Sequence, residues 1–152
     1  STGRRTSVDR PGEVTAPVCL FTHVAVGAIV GALSPTPYLA PFLGLASHVA
    51  LDVIPHHDID QMRYEIPLAA AAIAAIVIGG AMSLSVFLAV AFALIPDIEN
   101  LLWKLGVIRD DQKVFPGHRK LIPHGMETGK SSIIVQFAAA AVAIAFVIRR
   151  GA

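Results

Sequence analysis

Residues 66–95 read IPLAAAAIAAIVIGGAMSLSVFLAVAFALI and form the longest apolar stretch of the chain. As one helix, these 30 residues would be about 45 Å long, whereas the hydrocarbon core of a bilayer is about 30 Å thick. Gly79 and Gly80, followed by Ser83 and Ser85, offer a break near the middle. The stretch is therefore either one strongly tilted helix or two short ones.

Three further apolar blocks, at residues 18–33, 38–54 and 131–148, are each long enough for one short span. Hydrophobic residues make up 55% of the chain and the mean hydropathy is +0.66, which is typical of membrane proteins. We expect a polar tail over residues 1–17 and one multi-pass domain over 18–152. The predicted fold is all-α, an integral membrane bundle of about five short transmembrane helices. Gly27 and Gly31 have the G-x-x-x-G spacing that favours close helix packing.

The positions of the ionisable groups favour five passes over four. With five passes, the start of the first helix, the end of the second, the end of the fourth and the loop before the last all lie at one membrane face. With four passes, Asp97, His118 and His124 would be stranded at the opposite face. Because ionisable groups in apolar segments are costly, one convergent site accounts for more of them than two separate sites do.

The basic residues support the same threading. Five passes place ten of the twelve Lys and Arg residues at the face of the polar site, and only Arg149 and Arg150 at the other. By the positive-inside rule the site faces the cytoplasm, from the inner or plasma membrane. A net charge of +1 gives no reason to expect a nucleic-acid partner, and the bilayer itself is the expected partner.

The densest group of potential metal ligands is SHVALDVIPHHDID, residues 47–60. His48 and Asp52 are one helical turn apart and can bind one ion together, and His23 lies at a similar depth in the first helix. Imidazole and carboxylate are natural zinc ligands, and a single cysteine excludes paired thiolates. We expect one or two zinc-like divalent ions. The predicted metal ligands are His23, His48, Asp52, His57, Asp97, His118 and His124.

Two later segments contribute further polar groups. In IPDIEN, residues 95–100, Asp97 is equally suited to bind a metal or to cap a short helix that restarts after Pro96, and Glu99 is suited to a cap or to solvent. In GHRKLIPHG, residues 117–125, two imidazoles flank Arg119 and Lys120. A guanidinium binds phosphate with two hydrogen bonds, although both cations could instead anchor lipid headgroups.

The segments SHVALDVIPHHD (47–58), PDIEN (96–100) and HRKLIPH (118–124) resemble motifs of the membrane-bound metal-dependent hydrolase family, the YdjM-like integral membrane proteins. That family carries an early His, a His-x-x-x-Asp helix followed by Pro and His, a Pro-Asp-hydrophobic-Asp segment and a His-Arg-Gly-x-Thr-His-Ser motif. Here Glu99 replaces the second Asp, and Pro123, His124 and Gly125 stand where the family has Thr-His-Ser. The run from His48 to His57 is also similar to the zinc-dependent phospholipase C and P1-type nuclease pattern.

The resemblance implies a membrane-embedded metal-dependent hydrolase that acts on a phosphoester of a lipid or lipid-like substrate at the cytoplasmic interface. Arg119 would stabilise charge on the substrate, and Asp58 or Glu99 would shuttle the proton. Two alternatives use the same residues. One is a transporter or channel subunit for a divalent cation or a proton, and the other is an inactive scaffold that a metal stabilises.

Overall fold

The computed structural model describes residues 20–54, 62–119, 121 and 131–151, and these residues form five α-helices. Over these residues there is no β-strand, and one short 3₁₀ turn covers Asp110–Gln112. The prediction of an all-α fold is confirmed. The helices are α1 (Leu20–Leu33), α2 (Ala40–Val53), α3 (Met62–Ile78), α4 (Leu84–Lys104) and α5 (Ser131–Gly151).

The long apolar stretch is two helices, α3 and α4, with the break where the glycines lie. Gly80 has a φ of +71°, a backbone conformation that an L side chain disfavours, so the chain can turn here only because the residue is glycine. Ser83 then caps α4, because its hydroxyl accepts a hydrogen bond from the backbone N–H of Val86 at 3.2 Å. The turn and the cap together end one helix and begin the next.

The helices alternate in direction, so that the starts of α1, α3 and α5 lie together. The backbone N–H of Leu20 donates to Glu65 Oε2 at 2.8 Å, which joins the starts of α1 and α3. The ring of Phe21 stacks on Phe137 with 4.4 Å between centroids, which joins the starts of α1 and α5. We call this end of the bundle, where α2 and α4 finish, the polar end.

Small residues line the contact of α1 and α2 with α4. A Cβ added to Gly44 would lie 2.9 Å from the Ala89 Cα, and one added to Gly27 would lie 3.0 Å from the Ala93 Cβ. At Gly31 the added atom would lie 2.9 Å from the Ala89 Cβ. Because these distances are shorter than van der Waals contact, glycine is what lets the three backbones approach, as the G-x-x-x-G spacing predicts for α1. We call this contact the glycine seam.

Helix α4 runs through Pro96 without ending. Of the two roles left open for Asp97, capping a new helix is therefore excluded, since Asp97 lies inside α4 and is buried. Proline lacks the N–H that would bond to the carbonyl of Phe92, and packing against α1 and α2 holds the helix together across that gap. The result is that Asp97, Glu99 and Asn100 all project from the same helical segment.

By length and composition, two of the described helices could cross a membrane. They are α4 and the Ile133–Gly151 part of α5. Helices α1 and α2 are apolar but have 14 residues each, which is shorter than a usual span. The described helices thus allow membrane association, and the five-span bundle stays a prediction.

Candidate metal centre

His48 is the central residue of the polar end and is fully buried, with 0% of its surface exposed. Its Nδ1 lies 2.7 Å from the carbonyl oxygen of Ala93 in α4. Because a carbonyl can only accept, Nδ1 carries the hydrogen, and in the neutral ring Nε2 then bears a lone pair. Nε2 lies 3.2 Å from Asp52 Oδ2 on the next turn of α2, as the i, i+4 spacing predicts.

His23 joins this pair from α1. Its Nε2 lies 3.5 Å from Asp52 Oδ1, and its ring stacks on that of His48 with 4.1 Å between centroids. One potential metal-binding atom from each of the three residues lies within 4.8 Å of those of the other two. All three side chains are buried. Helices α1 and α2 therefore present two imidazoles and a carboxylate to a common point.

Asp97 and His118 extend the group on the other side of His48. Asp97 Oδ2 lies 3.8 Å from His48 Nδ1, and the ring centroid of His118 lies 6.5 Å from that of His48. One potential metal-binding atom from each of His48, Asp97 and His118 again lies within 4.8 Å of those of the other two. Five of the seven predicted metal ligands thus come together from α1, α2, α4 and the segment after α4.

Glu99 and Asn100 hold His118 in place. His118 Nδ1–H donates to Glu99 Oε2 at 2.9 Å, and the amide nitrogen of Asn100 donates to His118 Nε2 at 2.8 Å. Glu99 also accepts from the backbone N–H groups of Val114 and Phe115. Burial lowers the pKa of His118, which favours the neutral ring. Glu99 therefore fastens the segment after α4 to the helix, which differs from the cap or solvent role expected for it.

Two further contacts close this segment over the site. The ring of Phe115 meets His48 edge-on at 5.3 Å and lies 5.1 Å from His118, so it screens both imidazoles. The ammonium group of Lys113 lies 3.5 Å from the centre of the Trp103 ring and 2.8 Å from Asp110 Oδ1. Cation–π contact and ion pairing therefore fix the loop at the end of α4.

The other predicted site residues fall in two groups. Arg119 directly follows His118 and is exposed at the polar end. His57, Asp58 and His124 lie outside the described residues, so their roles stay predictions.

Two polar residues at this end did not stand out in the sequence. Glu65 is buried and accepts the N–H of Leu20, so it caps the helix that carries His23. Nothing in its local pattern separates it from a solvated acid. Asn100 is buried three residues after Asp97. Its i, i+3 spacing from Asp97 would have marked it, had α4 been expected to continue through Pro96.

Comparison with protein-family models, with curated proteins and with solved structures finds no match to this chain. The resemblance to the metal-dependent hydrolase family therefore stays a prediction, and the function is inferred from the arrangement of the side chains.

Proposed function

We propose that the chain is a membrane-embedded, metal-dependent hydrolase that cleaves a phosphoester of a lipid at one membrane surface. The observation that carries the proposal is the orientation of His48. Its Nδ1–H is held by a backbone carbonyl, and its Nε2 points at the Asp52 carboxylate. Two lone-pair atoms at 3.2 Å are stable only with a cation at that point, either a proton or a metal ion.

The distances fit a metal better than a proton. Two ligands that each lie about 2.0–2.1 Å from a tetrahedral zinc ion are about 3.3 Å apart. The His48–Asp52 and His23–Asp52 separations are 3.2 and 3.5 Å. One ion can contact all three residues at once, whereas each of the two contacts would otherwise need a hydrogen of its own. A ring N–H donated to a carbonyl is also the usual second contact of a metal-binding histidine.

His23, His48 and Asp52 would supply three ligands, which leaves a fourth position for water or substrate. Asp97, on α4, lies next to these ligands, with its Oδ2 3.8 Å from His48 Nδ1. His118 could join as a ligand only by giving up the hydrogen bond from Asn100 to its Nε2, because that bond uses the same lone pair. This second set also needs His48, whose single lone pair faces Asp52 while its Nδ1–H is donated to Ala93, so the two sets are alternative positions for one ion.

When bound, a divalent ion supplies Lewis-acid chemistry, which makes water a nucleophile near neutral pH and polarises a phosphoester. The residues of the chain orient the substrate around it. Arg119 is exposed beside His118, where its guanidinium can bind phosphate oxygens with two hydrogen bonds. Asp58 stays the predicted proton shuttle. Glu99 already accepts from His118 and two backbone N–H groups, so we assign it to holding His118.

The surface of the bundle supports a membrane location. Large apolar side chains are exposed on several helices, which is unusual for a soluble protein of this size. Among the described basic residues, Arg63, Lys104, Arg109, Lys113 and Arg119 lie at the polar end, and Arg149 and Arg150 lie at the other. The positive-inside rule then favours a cytoplasmic site. Examples of the exposed side chains are Phe42, Ile78, Phe87, Ile134 and Val142.

The distribution of buried polar groups favours a site over a pathway. Among the described residues, every buried charged, imidazole or amide side chain lies at the polar end. A transporter would need polar groups through the depth of the bilayer. This arrangement supports the hydrolase over the transporter, and turnover of a substrate would separate it from an inactive scaffold.

The first test measures zinc bound to the purified protein in detergent, by elemental analysis and calorimetric titration. Asp52→Asn removes the carboxylate that faces both imidazoles, so we expect zinc affinity to fall at least 100-fold. Asp111→Asn is the matched control, because Asp111 is exposed and pairs only with Arg109 in the described contacts. Equal zinc binding by the two variants would contradict the metal centre.

The second test measures hydrolysis of bis(p-nitrophenyl) phosphate and of phospholipids in mixed micelles. We expect zinc-dependent release of product from the native chain and none from Asp52→Asn. A zinc-loaded protein that cleaves neither class of phosphoester would contradict the hydrolase.

A further inference from the structure

A cleft of about 140 Å³ opens at the polar end, between the starts of α1 and α3 and the second half of α4. Its walls are mostly apolar, and Asp97 of the candidate metal centre is among its lining residues. The cleft therefore reaches from the surface of the bundle to the edge of the metal centre. The apolar lining consists of Leu20, Ile66, Leu94, Ile98 and Leu101.

The order of side chains along α4 gives the cleft a direction. Leu94, Ile98 and Leu101 follow one another on successive turns, and Lys104 ends the helix. The spacing of three and four residues keeps all of them on one face. For a helix that ends at the membrane surface, the apolar walls lie at the depth of lipid chains and Lys104 lies at the depth of headgroups. An alkyl chain with an anionic head matches this order.

Asn100 gives an independent sign of a ligand. It is 1% exposed, and its amide nitrogen donates to His118, so its Oδ1 points the other way. That Oδ1 is buried and has no hydrogen-bond partner among the described residues. A buried acceptor without a partner is destabilising, and natural proteins usually satisfy it. Asn100 is also among the residues that line the cleft, so we assign the missing donor to a hydroxyl on a ligand bound there.

We propose that this cleft binds one acyl chain of an anionic, hydroxyl-bearing phospholipid and places its phosphoester beside Asp97. The chain lies along Leu94 and Ile98, the phosphate pairs with Lys104, and a headgroup hydroxyl donates to Asn100. This inference rests on the proposed hydrolase, for which it names the substrate class and the binding surface. The lipid enters from the bilayer.

The experiment uses the full chain in phosphatidylcholine vesicles that contain a little phosphatidylglycerol with a photoreactive diazirine on one acyl chain. After irradiation, mass spectrometry measures the labelled fraction of each peptide. Ile98→Trp fills the cleft, and Ile95→Trp is its matched control. The two isoleucines are 51% and 46% exposed, but only Ile98 lines the cleft. We expect Ile98→Trp to lower labelling of α4 at least fivefold and Ile95→Trp to leave it unchanged.

A second comparison tests the headgroup. Lys104→Gln should lower labelling by phosphatidylglycerol about fivefold, which corresponds to one surface contact between a cation and a phosphate. Labelling by a diacylglycerol that carries the same diazirine chain should not change, because that lipid has a hydroxyl but no charge. Equal losses for both probes would overturn the assignment of Lys104 to the phosphate.

Labelling needs neither turnover nor a metal, so it can be run in chelator beside the zinc and hydrolysis assays. Equal labelling of the two tryptophan variants would overturn the cleft as a lipid site, whatever the zinc result. The expected labelling pattern, together with a zinc titration of the same protein that finds no binding, would support the cleft as an acyl-chain site and overturn the hydrolase.

Discussion

Gly44→Ala tests whether the glycine seam sets the geometry of the metal centre. The added Cβ would lie 2.9 Å from the Cα of Ala89, against 3.4 Å for the closest ordinary contact, so α2 and α4 must separate by at least 3.4 − 2.9 = 0.5 Å. The carbonyl oxygen of Ala89 would be closer still, and neither backbone atom can rotate away. Overpacking of this kind costs about 1–3 kcal/mol, and because the neighbour is rigid backbone we expect about 3 kcal/mol here.

The separation of α2 from α4 would also extend to the metal centre, because His48 lies one turn after Gly44 and Ala93 lies one turn after Ala89. The bond from His48 Nδ1 to the Ala93 carbonyl is 2.7 Å long and would stretch to 3.2 Å or more. That weakens the contact which orients Nε2, and losing such a contact lowers metal affinity about 10–100-fold. We expect thermal unfolding in detergent about 10 °C lower and zinc affinity lower by that factor.

Gly151→Ala is the control. Its Cβ would lie 2.8 Å from the Cα of Ala81, a clash between backbones at the other end of the bundle that does not involve Ala89. It should lower the unfolding temperature and leave zinc affinity within about twofold, since additivity holds for distant sites with no shared partner. If Gly44→Ala unfolded like the native chain, or if both variants lost zinc equally, the link between the seam and the site would be refuted.

Two further predictions concern His118. Glu99→Gln keeps the shape of the side chain but removes the charge that His118 and two backbone N–H groups contact, so we expect proteolysis of residues 105–119 to become faster. If Glu99→Gln resisted proteolysis as well as the native chain does, the role of Glu99 in holding this segment would be contradicted. Burial lowers the pKa of His118, so as pH falls below about 6.5 the unfolded chain takes up a proton that the folded chain resists. In chelator-treated protein, stability should therefore decrease from about pH 6.5 to pH 5, and less in His118→Gln; the same decrease in both would count against it.

Much of the fold follows from the sequence because the dominant signals are local. The length of the 66–95 stretch and the pair Gly79–Gly80 predict the break between α3 and α4, and glycine is required there by a positive φ. His48 and Asp52 share a helix face by spacing alone. The common level of His23, His48 and Asp97 follows from alternating helix directions once five helices are assumed.

The rest could not be predicted because it depends on tertiary contacts. The sequence gives no sign that packing carries α4 through Pro96, so Asp97 was open to a capping role that the helix excludes. The partner of His48 is the carbonyl of Ala93, and every residue has a carbonyl. Glu65 resembles a solvated acid in its segment, and only the adjacent start of α1 makes it a buried cap.

Among the described residues, the buried charged, imidazole and amide side chains lie at one end of the bundle, which bears on how the proposed membrane bundle would be inserted. The turns at the other end, residues 34–37 and 79–83, contain no ionisable side chain. Each helical hairpin could therefore be inserted from the side of the polar end without moving a charge through hydrocarbon. Only the last helix would carry cations across, at Arg149 and Arg150. If the bundle spans a membrane as proposed, moving Arg149 and Arg150 across would be the costliest step of insertion, and the buried histidines and carboxylates would stay on the side from which the helices are inserted.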